Sequence, residues 1–324
     1  MTEPHAANMQ PARTPGRTAL VLLTLNVEPH WQQWVEGFRG QTFKPDRVIV
    51  VDSASTDRTP ELARQEGFDV HGIARRDFGH GRTRRLAAEL AGDAEFIIYM
   101  TQDALFHSDD AFERLLAAFD DDRVALAYGR QVPRQHADPI EAHARLFNYP
   151  DDNATRTMAD ANRLGIKTAF CSDTFAAYRR QALDEVGGFP AHLIVNEDTW
   201  LAGKLLLAGW AVAYCADAAV RHSHPTALVK DFRRYFDIGV FHAREPWLRE
   251  AFGSAEGEGK RFVRSQMAFL LKKAPLRIPG ALAGTAAKLF AYRLGLHEGR
   301  LPLWLKRTLS GQQSAWNGAR EDAK

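Results

Sequence analysis

Residues 47–57 read RVIVVDSASTD, an apolar run that passes directly into a polar loop. Arg47 to Val51 is a short apolar run without polar alternation, the pattern of a strand buried on both faces. The run stops at Asp52 and opens into Ser53, Ala54, Ser55, Thr56 and Asp57, a loop rich in helix-capping side chains. A helix is expected next, from Thr59 to Glu66. Similar units lie on either side. Upstream, residues 18–25 (TALVLLTL) predict a buried strand ended by Asn26, then a helical stretch around Trp31 to Arg39. Downstream the pattern predicts a strand over residues 70–73, a helix after Gly81 and a strand over residues 95–100 (EFIIYM). A helix near residues 110–119 and a strand over residues 124–128 follow. This alternation predicts an α/β fold, a Rossmann-like, mostly parallel sheet flanked by helices on both faces.

In such open sheets ligands bind outside the carboxyl ends of the strands. Polar residues collect there: Asn26 and Glu28 after the first strand, Asp52 after the second, Asp103 after the fourth. The first β–α turn has no G-x-G-x-x-G and the chain has no Walker A sequence, which excludes those two phosphate-binding fingerprints. Past residue 130 the periodicity loosens, and residues 130–150 and 151–167 are expected to cover or flank the site. A strand-like stretch over residues 170–180 leads to the turn signal GGFP at residues 187–190. Asn196-Glu197-Asp198 then opens an amphipathic helix, and a strand over residues 211–215 leads to His222-Ser223-His224.

Composition bounds the class. Of 324 residues, 45% are apolar and 25% charged, ordinary for a folded globular protein. Two cysteines, Cys171 and Cys215, exclude a disulfide scaffold and a cysteine-based zinc site. Residues 1–17 are polar and Pro-rich with no apolar core, so they read as a loose tail rather than a signal peptide. No apolar run reaches the ~18–20 residues that span a bilayer, so a protein in solution or on a membrane surface is expected. The net charge of +2 is uneven: residues 245–324 carry 14 Lys/Arg against 7 Asp/Glu. A basic end on a neutral-to-acidic body argues against general nucleic-acid binding and for a local contact with something anionic.

Three groups of side chains could carry chemistry. Asp103 with His222 and His224 would suit Mg²⁺ or Mn²⁺; singly, the acid also fits a helix cap and the imidazoles a strand edge. Glu197 and Asp198 fit the favourable charge of a helix N-terminus, and equally a general base that the helix would keep ionised. Arg75, Arg76, Arg82, Arg84, Arg85, Arg233 and Arg234 could neutralise a diphosphate, or stand as solvated helix charges.

In chain order the motifs are Thr24-x-Asn26, VVDSASTD (50–57), HGRTRRLA (80–87), MTQDA (100–104), FAAYRR (175–180), GGFP, NED (196–198), HSH (222–224) and RRYFDIGV (233–240). The series resembles the family 2 inverting glycosyltransferases of the GT-A fold. TQDA, YGRQVP, FNYP and HSH with RYFDIG are similar to the bacterial rhamnosyltransferase branch. The resemblance covers residues 18–242. It implies that Asp52 holds the donor nucleotide base, with Thr24, Asn26, Glu28 and Ser53 lining that pocket. Arg82, Arg84, Thr101 and Gln102 are implied on the donor side, and Arg233, Arg234 and Tyr235 against the diphosphate. Asp103 would be the surviving carboxylate of the D-x-D motif, with His222 or His224 as second ligand. Asp198 would be the catalytic base, with Glu197 beside it. The chain departs from the family where Thr101 and Gln102 replace the first two D-x-D residues, and where Arg85 replaces the usual Asn.

The implied activity is transfer of L-rhamnose from dTDP-L-rhamnose to a hydroxyl of a glycan or lipid-linked glycan, in cell-surface polysaccharide (O-antigen) synthesis. UDP-galactofuranose, UDP-hexose and GDP-mannose stay open as donors, and a non-catalytic nucleotide-sugar-binding protein is the reading from another class. The expected organisation is a tail (1–17), a GT-A domain (18–244) and a basic, amphipathic helical segment (245–324). Val263, Met267, Leu270, Leu271 and Ala274 share one helical face, with Arg261, Arg264, Lys272 and Lys273 away from it; Trp304 to Arg307 repeat the mixture. Such a helix suits anionic lipid on the cytoplasmic face of the inner membrane. It also fits packing onto the catalytic domain or onto a second copy in a homo-oligomer.

Overall fold

The computed structural model describes residues 17–222, 227–253 and 257–316. Among these residues nine strands form one sheet: β1 (Thr18–Thr24), β2 (Arg47–Asp52), β3 (Asp69–Gly72), β4 (Phe96–Thr101), β5 (Leu105–Phe106), β6 (Val124–Val132), β7 (Ala154–Arg156), β8 (Phe175–Arg179) and β9 (Ala211–Arg221). Their order is β3-β2-β1-β4-β8-β6-β9-β5, with β7 also on β9. Neighbours from β3 to β4 are parallel, with Leu22 opposite both Val50 and Met100.

The second half corrects the expectation of a mostly parallel sheet. Strand β8 lies between β4 and β6 and is antiparallel to both, while β5 and β7 run against β9. The sheet is mixed. Strand–helix alternation encodes direction only where a helical crossover joins successive strands. The chain between β6 and β8 carries the helix Pro139–Asn148 and the strand β7 but returns to β6 antiparallel, so apolar periodicity does not encode its return direction.

Continuous apolar runs follow from double-sided burial. Ala19, Val21, Ile49 and Val51 face one core layer, which includes Ala87, Leu201 and Leu205. Leu20, Leu22, Val48 and Val50 face the other, with Trp31, Trp34, Phe38 and Phe112. The helix Glu28–Arg39 buries Trp31, Trp34, Val35 and Phe38, an i, i+3, i+4, i+7 stripe. Strand β9 is irregular opposite Gly129 and Arg130. A Cβ at Gly129 would lie 2.3 Å from the Ala218 carbonyl oxygen. Glycine there admits the irregularity, and β9 continues to deliver His222.

Residues 130–150 are more ordered than their sequence pattern suggests. A helix spans Pro139–Asn148, with Asp138 accepting a hydrogen bond from the Ile140 N–H at 2.9 Å. The start signal, an Asp cap before a first-turn Pro, is present in the sequence.

The described residues beyond 244 pack on the preceding part of the fold. Helix Leu228–Arg244 packs on Ile278–Leu296 so closely that a Cβ at Gly239 would meet the Tyr292 carbonyl oxygen at 2.2 Å. Phe236, Val240, Ala291 and Trp316 form a small core between them. Helix Glu258–Lys273 packs on Pro139–Asn148, tied by His143 Nε2 and Ser265 Oγ at 2.9 Å. Its expected lipid-facing stripe is therefore largely turned inward: Leu270 is buried and Val263 and Met267 half-buried, with Leu271 exposed. Among the described residues, no helix is long and apolar enough to cross a membrane.

Candidate active site

The loops leaving β1 and β2 are fastened to each other. Asp52, almost fully buried, accepts from Thr24 Oγ1 at 3.0 Å, Ser55 N at 2.9 Å and Ser55 Oγ at 2.5 Å. Asn26 Oδ1 accepts from Thr56 N at 2.8 Å, and Glu28 Oε2 from Arg58 N at 2.9 Å. Gln102 grips the Leu25 backbone at both ends, accepting from its N–H at 2.7 Å and donating to its carbonyl at 3.2 Å. The middle D-x-D position thus fixes the first loop. Ser53 Oγ and Thr101 Oγ1 are buried beside this frame without a hydrogen-bond partner among the described residues. The three non-glycine residues with positive φ among those described are Asn26, Ala54 and Asn196, all in loops of this site. Strained backbone concentrates where surrounding structure over-determines it, commonly at functional sites.

Asp103 and His222 come together as expected, with Oδ1 and Nε2 3.4 Å apart. His222 Nδ1 lies 2.9 Å from Gln131 Oε1, and the Gln131 amide nitrogen donates to Ser172 Oγ at 2.8 Å. That chain assigns Gln131 Oε1 as acceptor and Nδ1 as the protonated nitrogen, leaving the Nε2 lone pair toward Asp103. An oriented imidazole beside a carboxylate is a donor set that fits a divalent cation. His224 lies outside the described residues.

The NED motif opens helix Glu197–Leu207, with Asn196 left-handed before it. Glu197 is buried and ion-paired to Arg84, whose Nε lies 2.9 Å from Asp173 Oδ2. Asp173 in turn accepts from the Tyr178 hydroxyl at 2.5 Å. Burial pushes the Asp173 carboxyl up to about 6 despite Arg84. Burial also opposes ionisation of Glu197, but Arg84 and His80 outweigh it and hold that carboxyl below its usual value. Asp198 differs. Burial, then the charges of Glu197 and Asp173, push its carboxyl up to about 7. Desolvation and the adjacent carboxylates thus oppose the ionisation expected of Asp198 at a helix N-terminus. Glycine at position 81 lets this assembly close, since a Cβ there would lie 2.0 Å from the Pro190 carbonyl oxygen of GGFP.

The arginines and their neighbours divide. Arg84 and Glu197 neutralise each other inside the protein, a correction to their expected donor-side and catalytic roles. Arg82 is exposed, and Arg233 is half-buried beside Gly311. Arg234 is exposed and acts electrostatically on His80 and Glu197, which places it on the site side of its helix. Tyr235 instead faces Lys288, 5.4 Å from its ring, in an apolar groove, a correction to its placement against the diphosphate. Arg145 joins the site from helix Pro139–Asn148, acting on Tyr149 and acted on by Arg234 and Asp103. The start signal of that helix could have found Arg145. Asp173, whose charged partners Arg84 and Glu197 are distant in sequence, carried no local signal for its place in the site.

A model of glycosyl transferase family 2 matches residues 20–187. The O-antigen chain rhamnosyltransferase RfbN of Salmonella typhimurium is 45% identical, over 93% of this chain and 96% of that protein. An N-acetylglucosaminyl-diphospho-decaprenol L-rhamnosyltransferase of Mycobacterium tuberculosis is 27% identical, over 63% of this chain and 75% of that protein. The fold is similar to that of a mannosyltransferase from Pyrobaculum calidifontis solved with GDP-Man and Mn²⁺. There the TM-score is 0.54 at 21% identity, over 93% of this chain and 85% of that one.

Proposed function

Because the chain belongs to glycosyl transferase family 2, we propose that it transfers L-rhamnose from dTDP-L-rhamnose, with inversion, to a hydroxyl of a lipid-linked glycan in O-antigen-type polysaccharide synthesis. The observation that carries the reading is the 45% identity to an O-antigen chain rhamnosyltransferase over nearly the whole of both chains. The name of the mycobacterial relative supports a polyprenyl-diphosphate-linked acceptor.

Asp198 takes the proton from the acceptor hydroxyl. With its carboxyl near 7 it suits a general base working at neutral pH. The acceptor oxygen attacks the anomeric carbon opposite the diphosphate, the C–O bond to the diphosphate breaks, and one displacement inverts the centre. Arg82 and Arg234 receive the negative charge of the departing nucleoside diphosphate. Arg84, bound between Asp173 and Glu197, positions the start of the Asp198 helix. Asp52 and its loop hold the nucleotide base. Asp103 and His222 would hold a divalent cation, Mg²⁺ or Mn²⁺, which when bound neutralises charge growing on the diphosphate.

The acceptor's lipid end sets the location, the cytoplasmic membrane face. The exposed turn LKKAPLR (271–277) supports a surface contact there: Leu271 is 64% and Leu276 94% exposed, among exposed Lys272, Lys273 and Arg277. The test of the reaction is calorimetric titration with dTDP-rhamnose, UDP-galactose, UDP-galactofuranose and GDP-mannose, with and without Mn²⁺. Binding of dTDP-rhamnose alone, strengthened by Mn²⁺, is expected. Preference for a UDP- or GDP-sugar overturns the donor assignment, and no binding to any overturns the enzymatic reading.

A further inference from the structure

Helices Pro139–Asn148, Leu228–Arg244, Glu258–Lys273 and Ile278–Leu296 enclose a groove of about 1240 Å³. Its walls are mostly apolar, including Ile140, Phe147, Ile238 and Val263. The volume exceeds the ~300–1,000 Å³ of ordinary small-ligand pockets. An apolar cleft of this size left to water is unfavourable, since every apolar wall atom forgoes burial.

The glycines of helix Ile278–Leu296 separate packing from cavity. Gly295 is required by packing, because a Cβ there would lie 2.1 Å from the Phe236 carbonyl oxygen. Gly280 and Gly284 line the groove, and a Cβ at either would meet nothing within 4 Å. Glycine in a helix interior, as at Gly284, costs about 0.5–1 kcal/mol relative to alanine, and no neighbour among the described residues requires either glycine. What they provide is width.

The groove is also charged to suit an anionic head group. Lys288 is paired with Asp231 at 2.9 Å, and Lys167 with Glu258. Lys260 and Arg264 line it too, both exposed, and leave the lining with a net positive charge. Two of its walls are shared with the active site. Helix Pro139–Asn148 directs Arg145 to the site and Phe147 to the groove; helix Leu228–Arg244 directs Arg234 to the site and Tyr235 to the groove.

We propose that this groove binds the isoprenoid chain of a polyprenyl-diphosphate-linked acceptor, with the diphosphate drawn by Lys260 and Arg264. The inference rests on the lipid-linked acceptor of the proposed function and assigns it a site. It is tested by photolabelling the full chain with a benzophenone analogue of geranylgeranyl diphosphate and mapping the labelled peptides. Label is expected on helices Glu258–Lys273 and Ile278–Leu296, displaced by unlabelled geranylgeranyl diphosphate and not by inorganic diphosphate. Gly284→Trp, which fills the groove, is expected to cut labelling at least tenfold, while Gly284→Ala leaves it unchanged and both keep wild-type dTDP-rhamnose binding. Labelling indifferent to Gly284→Trp overturns the proposal, as does displacement by inorganic diphosphate or equally by phosphatidylglycerol vesicles. Absence of label together with a dimer that Gly284→Trp dissociates also overturns it, making the groove an interface between copies. Labelling without binding of any nucleotide sugar would sink the rhamnosyl reading and leave the groove standing. Donor binding without labelling sinks the groove alone.

Discussion

The sheet-end site and the C-terminal helical layer are built on opposite principles. At the site, polar side chains hold one another: Asp52 is ringed by hydroxyls and an amide, Gln102 clamps a backbone, and Arg84 lies between two carboxylates. In the helical layer apolar groups are left uncovered, with Phe290 59% and Leu276 94% exposed. A pre-bonded polar frame suits a small, charged, fixed-shape ligand, because little reorganisation remains when it binds. An uncovered apolar face with basic neighbours suits a lipid surface.

The largest expected effect breaks chemistry from binding within the site. Asp198→Asn keeps shape and removes the proposed base, so kcat is expected to fall about 10²–10⁴-fold while dTDP-rhamnose affinity stays within twofold. Steady-state kinetics beside calorimetry reads both; a kcat within tenfold of wild type would assign the base elsewhere.

Next, two arginines of one motif separate frame from ligand contact. Arg84→Met strands Asp173 and Glu197 as buried, unpaired acids and is expected to cost about 3–5 kcal/mol in urea unfolding. Arg82→Met removes an exposed cation; unfolding is expected to change by less than about 0.5 kcal/mol, with the donor KM raised. Equal stability losses in the two would show that the Arg84 triad is not the frame described.

A smaller effect belongs to the helical layer alone. Reversing Lys272 and Lys273 to Glu is expected to weaken binding to anionic liposomes roughly 10–100-fold, at about 1 kcal/mol per basic charge removed. Donor affinity should not move. Charge reversal is preferable to truncation at residue 257, because the removed chain supplies Ala291 and Trp316 to a core with Phe236 and Val240. Unchanged flotation would remove the membrane role from this turn.

The same contrast explains what was legible in the sequence. Strands β1, β2 and β4 bury both faces, so composition alone marked them, and the polar residue ending each marked the edge where the candidate site is built. Asp103 with His222 was visible because each follows a strand end and the motif series joined them. The role of Arg84 was not visible. Its partners Asp173 and Glu197 lie far along the chain, and an arginine on an amphipathic helix reads the same whether solvated or buried. The direction of β8 was invisible for a related reason, being set by which strands it separates. Facing residues decided the C-terminal stripe as well: helix Pro139–Asn148 covers it, and Leu271 and Leu276 stay outside.

The smallest expected effect is a pH-dependent stability that marks the site as strained relative to the helical layer. Asp198 moves from 3.8 to about 7 and Asp173 from 3.8 to about 6 on folding. Both raised carboxyls bind more protons folded than unfolded between about pH 4 and 7. Their contribution is therefore fully present below the unfolded value and lost as pH rises through the folded one. Asp198→Asn removes the larger part of that loss. Its Tm should match wild type near pH 4 and exceed it by roughly 2–5 °C at pH 8. The gap should open through the same interval in which the wild-type rate rises, because on the proposed mechanism the ionisation that destabilises the fold also produces the base. A Tm difference constant from pH 4 to pH 8 would separate those two events and remove strain from the account of Asp198.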